Sequence, residues 1–424
     1  MSDALQAAIS LGQQLVDEAV WHEGRCNWIG AWPTEGPGGT AAITYTALGP
    51  DLYGGTSGIA LFLAELFGAT SEEGFRRTSL GALRQAISTA PQLPPEVRPA
   101  LYSGALGIAL AAALASPLID VAELDACTEL ISVRPVAHGE HDLMSGDAGA
   151  VLALLCLATL LDEQALVARA TEFGESLLGH AQGQDDTLSW ASRALPGEPR
   201  LTGLSHGASG CALALLELWQ ASGETSYLDA ARAALAYERT RFDPDAANWP
   251  DLRSGAGEGA AEGRRSFAAL WCHGAPGIAL ARLRAVELQA DRPALSEARI
   301  ALDTTRRAVE GELARGGNFS LCHGLAGNAE ILLHGYRMLG DERADDAELA
   351  HRVATEGIER HGAAGRVWPC GTFEGQATGL FLGLAGIGRF YLRLHDPTLS
   401  SLLLPVPAYL RPTHALAAVP ILES

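Results

Sequence analysis

The sequence predicts an all-α protein built from a repeated helical hairpin. A G-x-x-G pattern recurs seven times along the chain, with its first glycine at Gly55, Gly104, Gly146, Gly207, Gly274, Gly324 and Gly383. An apolar run follows each copy, and successive copies lie 42 to 67 residues apart, a period typical of helical repeat arrays. No alternating pattern of any length indicates a strand.

The order of the elements follows from this repeat. Residues 4–22 are expected to form an amphipathic helix and residues 24–50 an irregular segment. From residue 51, each G-x-x-G opens an apolar inner helix, and a more polar outer helix follows, as at 165–180 and 227–242. Connecting loops are expected at 91–95, 196–199, 244–263 and 362–379. An open solenoid is conceivable, but a closed ring of seven inner and seven outer helices accounts better for the Ala-rich inner helices. We therefore expect a single domain over residues 1–424.

Composition and charge restrict the functional class. Hydrophobic residues make up 48% of the chain and charged residues 19%, which is enough to bury a large core. The net charge of −20 argues against a nucleic-acid partner, because a phosphate backbone would be repelled. We expect no transmembrane segment and, with no secretory signal, a cytoplasmic protein. Seven cysteines in such a chain indicate free thiols or metal ligands rather than disulfides.

Aligning the seven copies on the first glycine brings distinctive residues into two columns. Two residues before that glycine stand Tyr53, Tyr102, Met144, Ser205, Cys272, Cys322 and Phe381. One residue before it stand Gly54, Ser103, Ser145, His206, His273, His323 and Leu382. Stacked repeats bring equivalent positions together, so cysteines 50 residues apart are expected to meet.

Cys272, Cys322 and His323 would supply two sulfurs and one nitrogen to a zinc ion, leaving a fourth position open as catalytic sites do. The alternative is that both cysteines are buried small apolar residues. Two thiolates cancel the charge of Zn²⁺, so a bound water would be only weakly acidified. A substrate thiol would instead lose its proton and stay electron-rich, which favours attack on carbon.

Addition of a thiol to an activated alkene also needs a group that carries protons. His206 shares the histidine column but has no adjacent cysteine, so it is a candidate acid or base. Asp142 is a candidate to orient the imidazole of His206 or to favour its protonated form. The alternatives are a structural hydrogen bond for His206 and a solvated turn for Asp142. His273 could be a ligand, a proton carrier or a residue of the rim, and Cys370 stays undecided.

Several of these motifs resemble the lanthionine synthetase C-like cyclases. They are Asp142-Leu143 before Ser145-Gly146, Ser205-His206-Gly207, Trp271-Cys272-His273-Gly274 and Cys322-His323-Gly324, together with 51–60 and 379–388. The resemblance spans roughly residues 1–410 and is closest to the cyclase domain of bifunctional lanthipeptide synthetases. We expect this chain to have no counterpart of the dehydratase domain that precedes the cyclase in those synthetases.

The resemblance implies an α/α toroid with a central zinc ion held by Cys272, Cys322 and His323. It implies addition of peptide cysteine thiols to dehydroalanine or dehydrobutyrine in a dehydrated precursor peptide, with His206 and Asp142 as the acid/base residues. A separate dehydratase would supply that peptide. Some family members carry an arginine four residues before the first zinc cysteine; here that position is Ala268, and Arg264 and Arg265 are out of register.

Three other functions remain to be weighed. The toroid could join glutathione or another small thiol to dehydrated proteins, or it could bind peptide without catalysis. Carboxylate chemistry, as in glycosidases on similar rings, would require two acids in the columns, and the columns contain none.

Overall fold

The structure is a computed structural model that describes residues 2–35, 41–119, 127, 129–137, 139–253, 266–363, 366–372 and 376–410. In these residues thirteen α-helices follow one another along the chain. They are α1 (Asp3–Glu18), α2 (Thr56–Thr70), α3 (Glu73–Thr89), α4 (Ala105–Ile119), α5 (Asp147–Leu161), α6 (Ala165–His180), α7 (Ala208–Ser222), α8 (Thr225–Arg239), α9 (Ala275–Glu287), α10 (Ala294–Arg315), α11 (Leu325–Leu339), α12 (Ala344–His361) and α13 (Leu384–His395).

Seven of these helices form a closed inner ring. They are α2, α4, α5, α7, α9, α11 and α13; each contacts the next, and α13 returns to contact α2. Each begins directly after the first glycine of one copy of the G-x-x-G pattern, and α2, α4, α5 and α7 are buried for most of their length. A helix that is apolar all round belongs in a core. The prediction of an all-α toroid with seven inner helices is confirmed.

The outer layer is amphipathic and packs against the ring from outside. Helices α3, α6, α8, α10 and α12 each pack on the inner helix that precedes them, and α1 packs on α13. The described residues thus contain six outer helices, one fewer than expected. Between α4 and the third copy of the pattern, residues 120–126, 128 and 138 lie outside the described residues.

Three small antiparallel hairpins were missed by the sequence analysis. They pair β1 (Val20–His22) with β2 (Arg25–Asn27), β3 (Ile29–Glu35) with β4 (Ala41–Ala47), and β5 (Gln182–Gln184) with β6 (Thr187–Ser189). The segment expected to be irregular therefore contains β2, β3 and β4. The three residues of β2 are too few to show alternation. The strand β4 has none because its residues 43–47 are all exposed, whereas alternation marks a strand with one face in the core.

The second glycine of each pattern is required by the turn that precedes its helix. A Cβ on Gly327 would lie 1.7 Å from the carbonyl oxygen of Leu321, and one on Gly107 would lie 1.8 Å from that of Leu101. In all seven copies this oxygen belongs to the residue six positions earlier. No side chain fits there, so the repeated glycine follows from the close approach of turn and helix.

The centre of the ring is filled by residues 399–410, which we call the lumen segment. Leu402, Leu403 and Leu404 are buried. The Tyr102 hydroxyl donates to Leu402 O at 2.8 Å and the Trp271 indole N–H to Leu403 O at 2.9 Å. The toroid is therefore a packed structure with its inner turns anchored to the lumen segment.

Buried ion pairs also join the inner helices, although charged residues were expected to face water. Arg284 on α9 bonds to Glu217 on α7, and Arg389 on α13 to Glu65 on α2. Buried charges occur where they are paired, and a sequence pattern does not reveal the partner. Over the described residues, the helices are too short or too polar to cross a bilayer.

Candidate metal centre and active site

The turns that precede the inner helices are joined by a circle of backbone hydrogen bonds. Main-chain bonds of 2.8–3.3 Å connect the seven copies in order, through Tyr53, Tyr102, Met144, Ser205, Cys272, Cys322 and Phe381. The last closes onto the first, because the Phe381 N–H donates to Tyr53 O at 2.8 Å. The residues of the first sequence column are therefore spatial neighbours around one end of the ring.

Cys272, Cys322 and His323 meet at this end. One ligand atom from each lies within 4.8 Å of the other two. Both cysteines are buried and His323 is half-buried. Across the part of the chain that the structure describes, this is the one group of three or more His, Cys, Asp or Glu side chains that could hold a metal ion.

The two sulfurs are close enough to affect each other's protonation. A hydrogen bond with Cys322 lowers the pKa of the Cys272 thiol, with a smaller contribution from His323. Burial raises the pKa of the Cys322 thiol. A divalent cation bound by both sulfurs would stabilise them as thiolates. Two thiolates and an imidazole form a donor set suited to Zn²⁺.

Beside these sulfurs, His206 and Asp142 form a hydrogen-bonded pair. His206 Nδ1 lies 2.7 Å from Asp142 Oδ2, and the backbone N–H of Ser145 donates to the other carboxylate oxygen at 2.7 Å. Burial lowers the pKa of His206, but the charge and hydrogen bond of Asp142 outweigh it and raise the net pKa. A third of the imidazole is exposed. The pair can therefore hold a proton at the open side of the site.

His273 lies between this pair and the sulfurs. Its ring stacks on that of His206 with centroids 5.6 Å apart and an interplanar angle of 25°. Burial lowers its pKa to about 4, so it is neutral at pH 7. It is not part of the group of three residues that could hold a metal ion, so a proton carrier and a residue of the rim remain as its interpretations.

Arg253 is a charged residue of the site that the sequence columns do not contain. It bonds to Asp251 through Nε and Nη2 at 3.0 and 2.6 Å. Its charge slightly opposes the rise that Asp142 causes in the pKa of His206, and it adds to the fall that burial causes in the pKa of His273. The pKa of Arg253 is itself raised by Asp251 and, more weakly, by Cys272 and Cys322. The guanidinium of Arg253 therefore brings a positive charge to the site, although Ala268 stands where some family members carry an arginine.

The loop that carries Arg253 is built onto the turns of the site. The Thr202 hydroxyl donates to Pro250 O at 2.9 Å, which fixes the loop beside the His206 turn. Asn248 donates to Ala268 O and accepts from the backbone N–H of Ala275, each at 2.9 Å, which fixes it beside the Cys272 turn. Arg264 and Arg265 lie outside the described residues.

The remaining cysteines take no part in the ligand group. All seven cysteines of the chain are buried, and the described residues form no disulfide. Cys26, Cys156 and Cys211 direct their sulfurs at backbone carbonyl oxygens. Cys370 directs its sulfur at Ala377 O, 3.7 Å away. These contacts agree with a structural role for the first three and give Cys370 a similar environment.

Comparison with known proteins agrees with this geometry. The sequence matches the family described as "Lanthionine synthetase C-like protein" over residues 46–410. The chain belongs to the lanthionine synthetase C-like family. Among solved structures, nisin cyclase is similar to it with a TM-score of 0.61 and 18% sequence identity, over 82% of this chain and 89% of that one.

A second solved structure extends the likeness of fold beyond lanthionine synthetase C-like proteins. A GH76 α-mannanase of Bacteroides thetaiotaomicron matches with a TM-score of 0.53 and 11% identity, over 92% of this chain and 95% of that one. At such low sequence identities, the structural similarity establishes only the toroidal fold. The chemistry must be argued from the residues at the end of the ring.

Proposed function

We propose that this protein is a zinc-dependent lanthipeptide cyclase that adds peptide cysteine thiols to dehydroalanine or dehydrobutyrine, forming thioether rings. The observation that carries the proposal is the meeting of Cys272, Cys322 and His323 within 4.8 Å in a chain of the lanthionine synthetase C-like family. The three residues would hold the ion. When bound, zinc would lower the pKa of a coordinated substrate thiol so that the thiolate persists at neutral pH.

The addition conserves atoms and electrons. The substrate thiol loses its proton, the sulfur forms a bond to Cβ of the dehydrated residue, and the electrons of the carbon–carbon double bond move onto the adjacent carbonyl as an enolate. A proton then returns to Cα. Since one proton leaves and one is gained, a single residue can serve both transfers.

His206 is the residue that would move this proton. Asp142 raises its pKa, so more of it is protonated at neutral pH, and the hydrogen bond to Nδ1 directs Nε2 away from Asp142. Positioned acid/base residues of this kind contribute rate factors of about 10²–10⁴. Arg253 would supply the cation that stabilises the enolate, in place of the arginine missing at Ala268.

The substrate would be a dehydrated precursor peptide, made by a separate enzyme that dehydrates serine and threonine. We further propose that residues 1–424 form one cyclase domain and that it works in the cytoplasm. The lack of a disulfide among the described residues supports the latter, because a reducing compartment disfavours disulfides.

The proposal is tested by metal content and ring closure in a Cys322→Ala variant. The wild-type protein should retain about one zinc per chain and consume free thiols of a dehydrated cysteine-containing peptide without a change in mass. Cys322→Ala should lose both properties. Cys370→Ala, the same change at a buried cysteine outside the ligand group, should keep both.

The same assay separates the alternatives. An increase in peptide mass that requires glutathione would identify addition of a small thiol instead of cyclisation. Peptide binding without zinc, unchanged in Cys322→Ala, would identify a scaffold. Normal ring closure by Cys322→Ala would refute the assignment of the site.

A further inference from the structure

A cavity of about 240 Å³ lies between α11, α13 and the lumen segment. Arg337 and Arg393, in the last turns of these two helices, line it, whereas the proposed metal ligands precede the first turns of α9 and α11. The cavity is therefore separate from the metal centre. Its lining runs from exposed residues on α12 and after α13 to the buried leucines of the lumen segment, so a small molecule can enter it from the surface.

His334 lines this cavity and has an unused hydrogen-bond donor. Its Nδ1 lies 2.7 Å from Nη2 of Arg337. A guanidinium can only donate, so Nδ1 accepts and the neutral ring carries its proton on Nε2. Burial, with the charge of Arg337 as a further cause, lowers the pKa of His334 well below its usual range, which keeps the ring neutral. His334 is 8% exposed, and its Nε2 has no hydrogen-bond partner among the described residues. A buried donor of this kind costs free energy until an acceptor reaches it.

The two arginines give the cavity a surplus of positive charge. Arg393 pairs with Glu330 at 2.5 Å, and the same carboxylate oxygen accepts from the Ser401 hydroxyl. The guanidinium carbon of Arg337 lies 4.9 Å from the ring centroid of Tyr409, and in the described part of the chain Arg337 has no carboxylate partner. With His334 neutral, the lining thus contains two guanidinium groups and one carboxylate, in a chain whose net charge is −20.

Most of the remaining lining is apolar. It includes Leu280, Ile331, Phe390, Leu394, Leu403 and Leu404. The volume is below the range of about 300–1,000 Å³ that is usual for drug-sized ligands, so the ligand would be small. It would combine an apolar body with one acidic group. A single surplus positive charge matches a carboxylate better than a phosphate group, which carries nearly two negative charges at pH 7.

We propose that this cavity binds a small carboxylic acid with an apolar chain. The carboxylate accepts the hydrogen bond of His334 Nε2 and is held by the charge of Arg337, while the chain packs on the leucines of the lumen segment. No metal ligand takes part, so the proposal goes beyond the proposed function and does not depend on it.

Isothermal titration calorimetry of the full-length protein with octanoate tests the proposal. Octanol keeps the apolar chain without the charge, and inorganic phosphate keeps a negative charge without the chain. Octanoate should bind once per chain with a Kd of about 1 mM or below, as expected for a ligand of this size. Octanol and phosphate should each bind at least about 10-fold more weakly, because each lacks one of the two recognised groups.

Two variants test the polar contacts. His334→Phe keeps a planar ring but removes the donor, and Arg337→Gln removes the cation that has no carboxylate partner. Each should weaken octanoate binding about 10- to 100-fold, the usual effect of losing a hydrogen bond to a charged group. Arg241→Gln is the matched control, because Arg241 also lies over a tyrosine ring, 5.0 Å from the centroid of Tyr237, but does not line the cavity. It should bind octanoate as wild type does. Circular dichroism verifies that each variant keeps its helices.

The Cys322→Ala variant separates this cavity from the metal centre, because a carboxylate could also bind an ion there. It should bind octanoate with the affinity of the wild type. Loss of binding in Cys322→Ala would place octanoate at the metal centre and refute the proposal. It would also be refuted by a wild-type protein that does not bind octanoate, by equal affinity for octanol or phosphate, or by unchanged binding in both His334→Phe and Arg337→Gln. None of these results bears on zinc content or ring closure, by which the proposed function is tested.

Discussion

The ion pair between Glu65 and Arg389 allows the closure of the ring to be tested quantitatively. Arg389 on α13 donates from Nε and Nη2 to the two carboxylate oxygens of Glu65 on α2, both at 2.8 Å. The side chains are 1% and 5% exposed, respectively. The guanidinium also donates to Ser400 O at 2.7 Å. One buried cation therefore joins the first inner helix, the last inner helix and the lumen segment.

Changing Glu65 to glutamine keeps the shape of the side chain but removes the charge that compensates Arg389. Leaving a buried charge without its partner costs about 3–5 kcal/mol. For a chain of 424 residues, the average entropy of unfolding per residue converts this into a fall in Tm of roughly 3–6 °C. Differential scanning calorimetry at pH 7 would measure the shift.

A matched control makes the same change at an exposed pair. Glu312 pairs with Arg315, and the arginine and glutamate side chains are 68% and 46% exposed, so Glu312→Gln should lower the free energy of unfolding by less than about 1 kcal/mol. Replacing both buried partners, as in Glu65→Leu with Arg389→Met, should recover most of the stability. A Tm for Glu65→Gln equal to that of Glu312→Gln would refute the reasoning.

Three further predictions concern the site. His206→Ala should retain zinc, measured by metal analysis, yet lose about 10²–10⁴-fold in the rate of ring closure; a variant that keeps its rate would remove His206 from the reaction. Asp142→Asn should lower the pKa of His206, because the carboxylate raises it. A rate limited by protonated His206 falls as pH rises through that pKa, so the alkaline limb of the pH–rate profile should move to lower pH, and an unmoved limb would contradict this role. Arg253→Gln should leave the metal content unchanged and lower kcat by up to about 10²-fold, if its charge stabilises the enolate; single-turnover rates with saturating peptide would measure this, and an unaltered rate would assign the enolate to another group.

The sequence predicted the ring and the ligand group because both depend on the repeat. Cys272 and Cys322 stand in equivalent positions of consecutive repeats, and consecutive repeats are neighbours in a stacked array. Their approach needs no knowledge of any other part of the fold. The carboxylate of Asp142 was also identified, and the structure brings it to the histidine of the next repeat.

The features that were missed depend on contacts between parts of the chain with no common period. Arg253 reaches the site because Asn248 and Thr202 fix its loop to two different turns. This contact does not follow from the spacing of residues along the chain.

The exposed hairpin of β3 and β4 was missed for a different reason. Hydrophobic periodicity reports burial, and a strand whose residues 43–47 are all exposed has no buried face to report. The buried charges of the inner helices likewise carry no sequence signal, because Glu217 and Arg284 are 67 residues apart and only the packing of α7 on α9 brings them together.

The circle of backbone hydrogen bonds has a consequence for synthesis on the ribosome. Cys272, Cys322 and His323 leave the exit tunnel before Phe381, whose carbonyl accepts the Cys322 N–H and whose N–H reaches back to Tyr53. Until the seventh repeat emerges, the Tyr53 carbonyl of the first repeat lacks its hydrogen-bond donor, and the Cys322 N–H of the sixth repeat lacks its acceptor. A nascent chain halted before residue 381 would thus contain every proposed zinc ligand but lack the closed circle of backbone hydrogen bonds that positions them. Binding of the ion would therefore report that the last repeat has been completed.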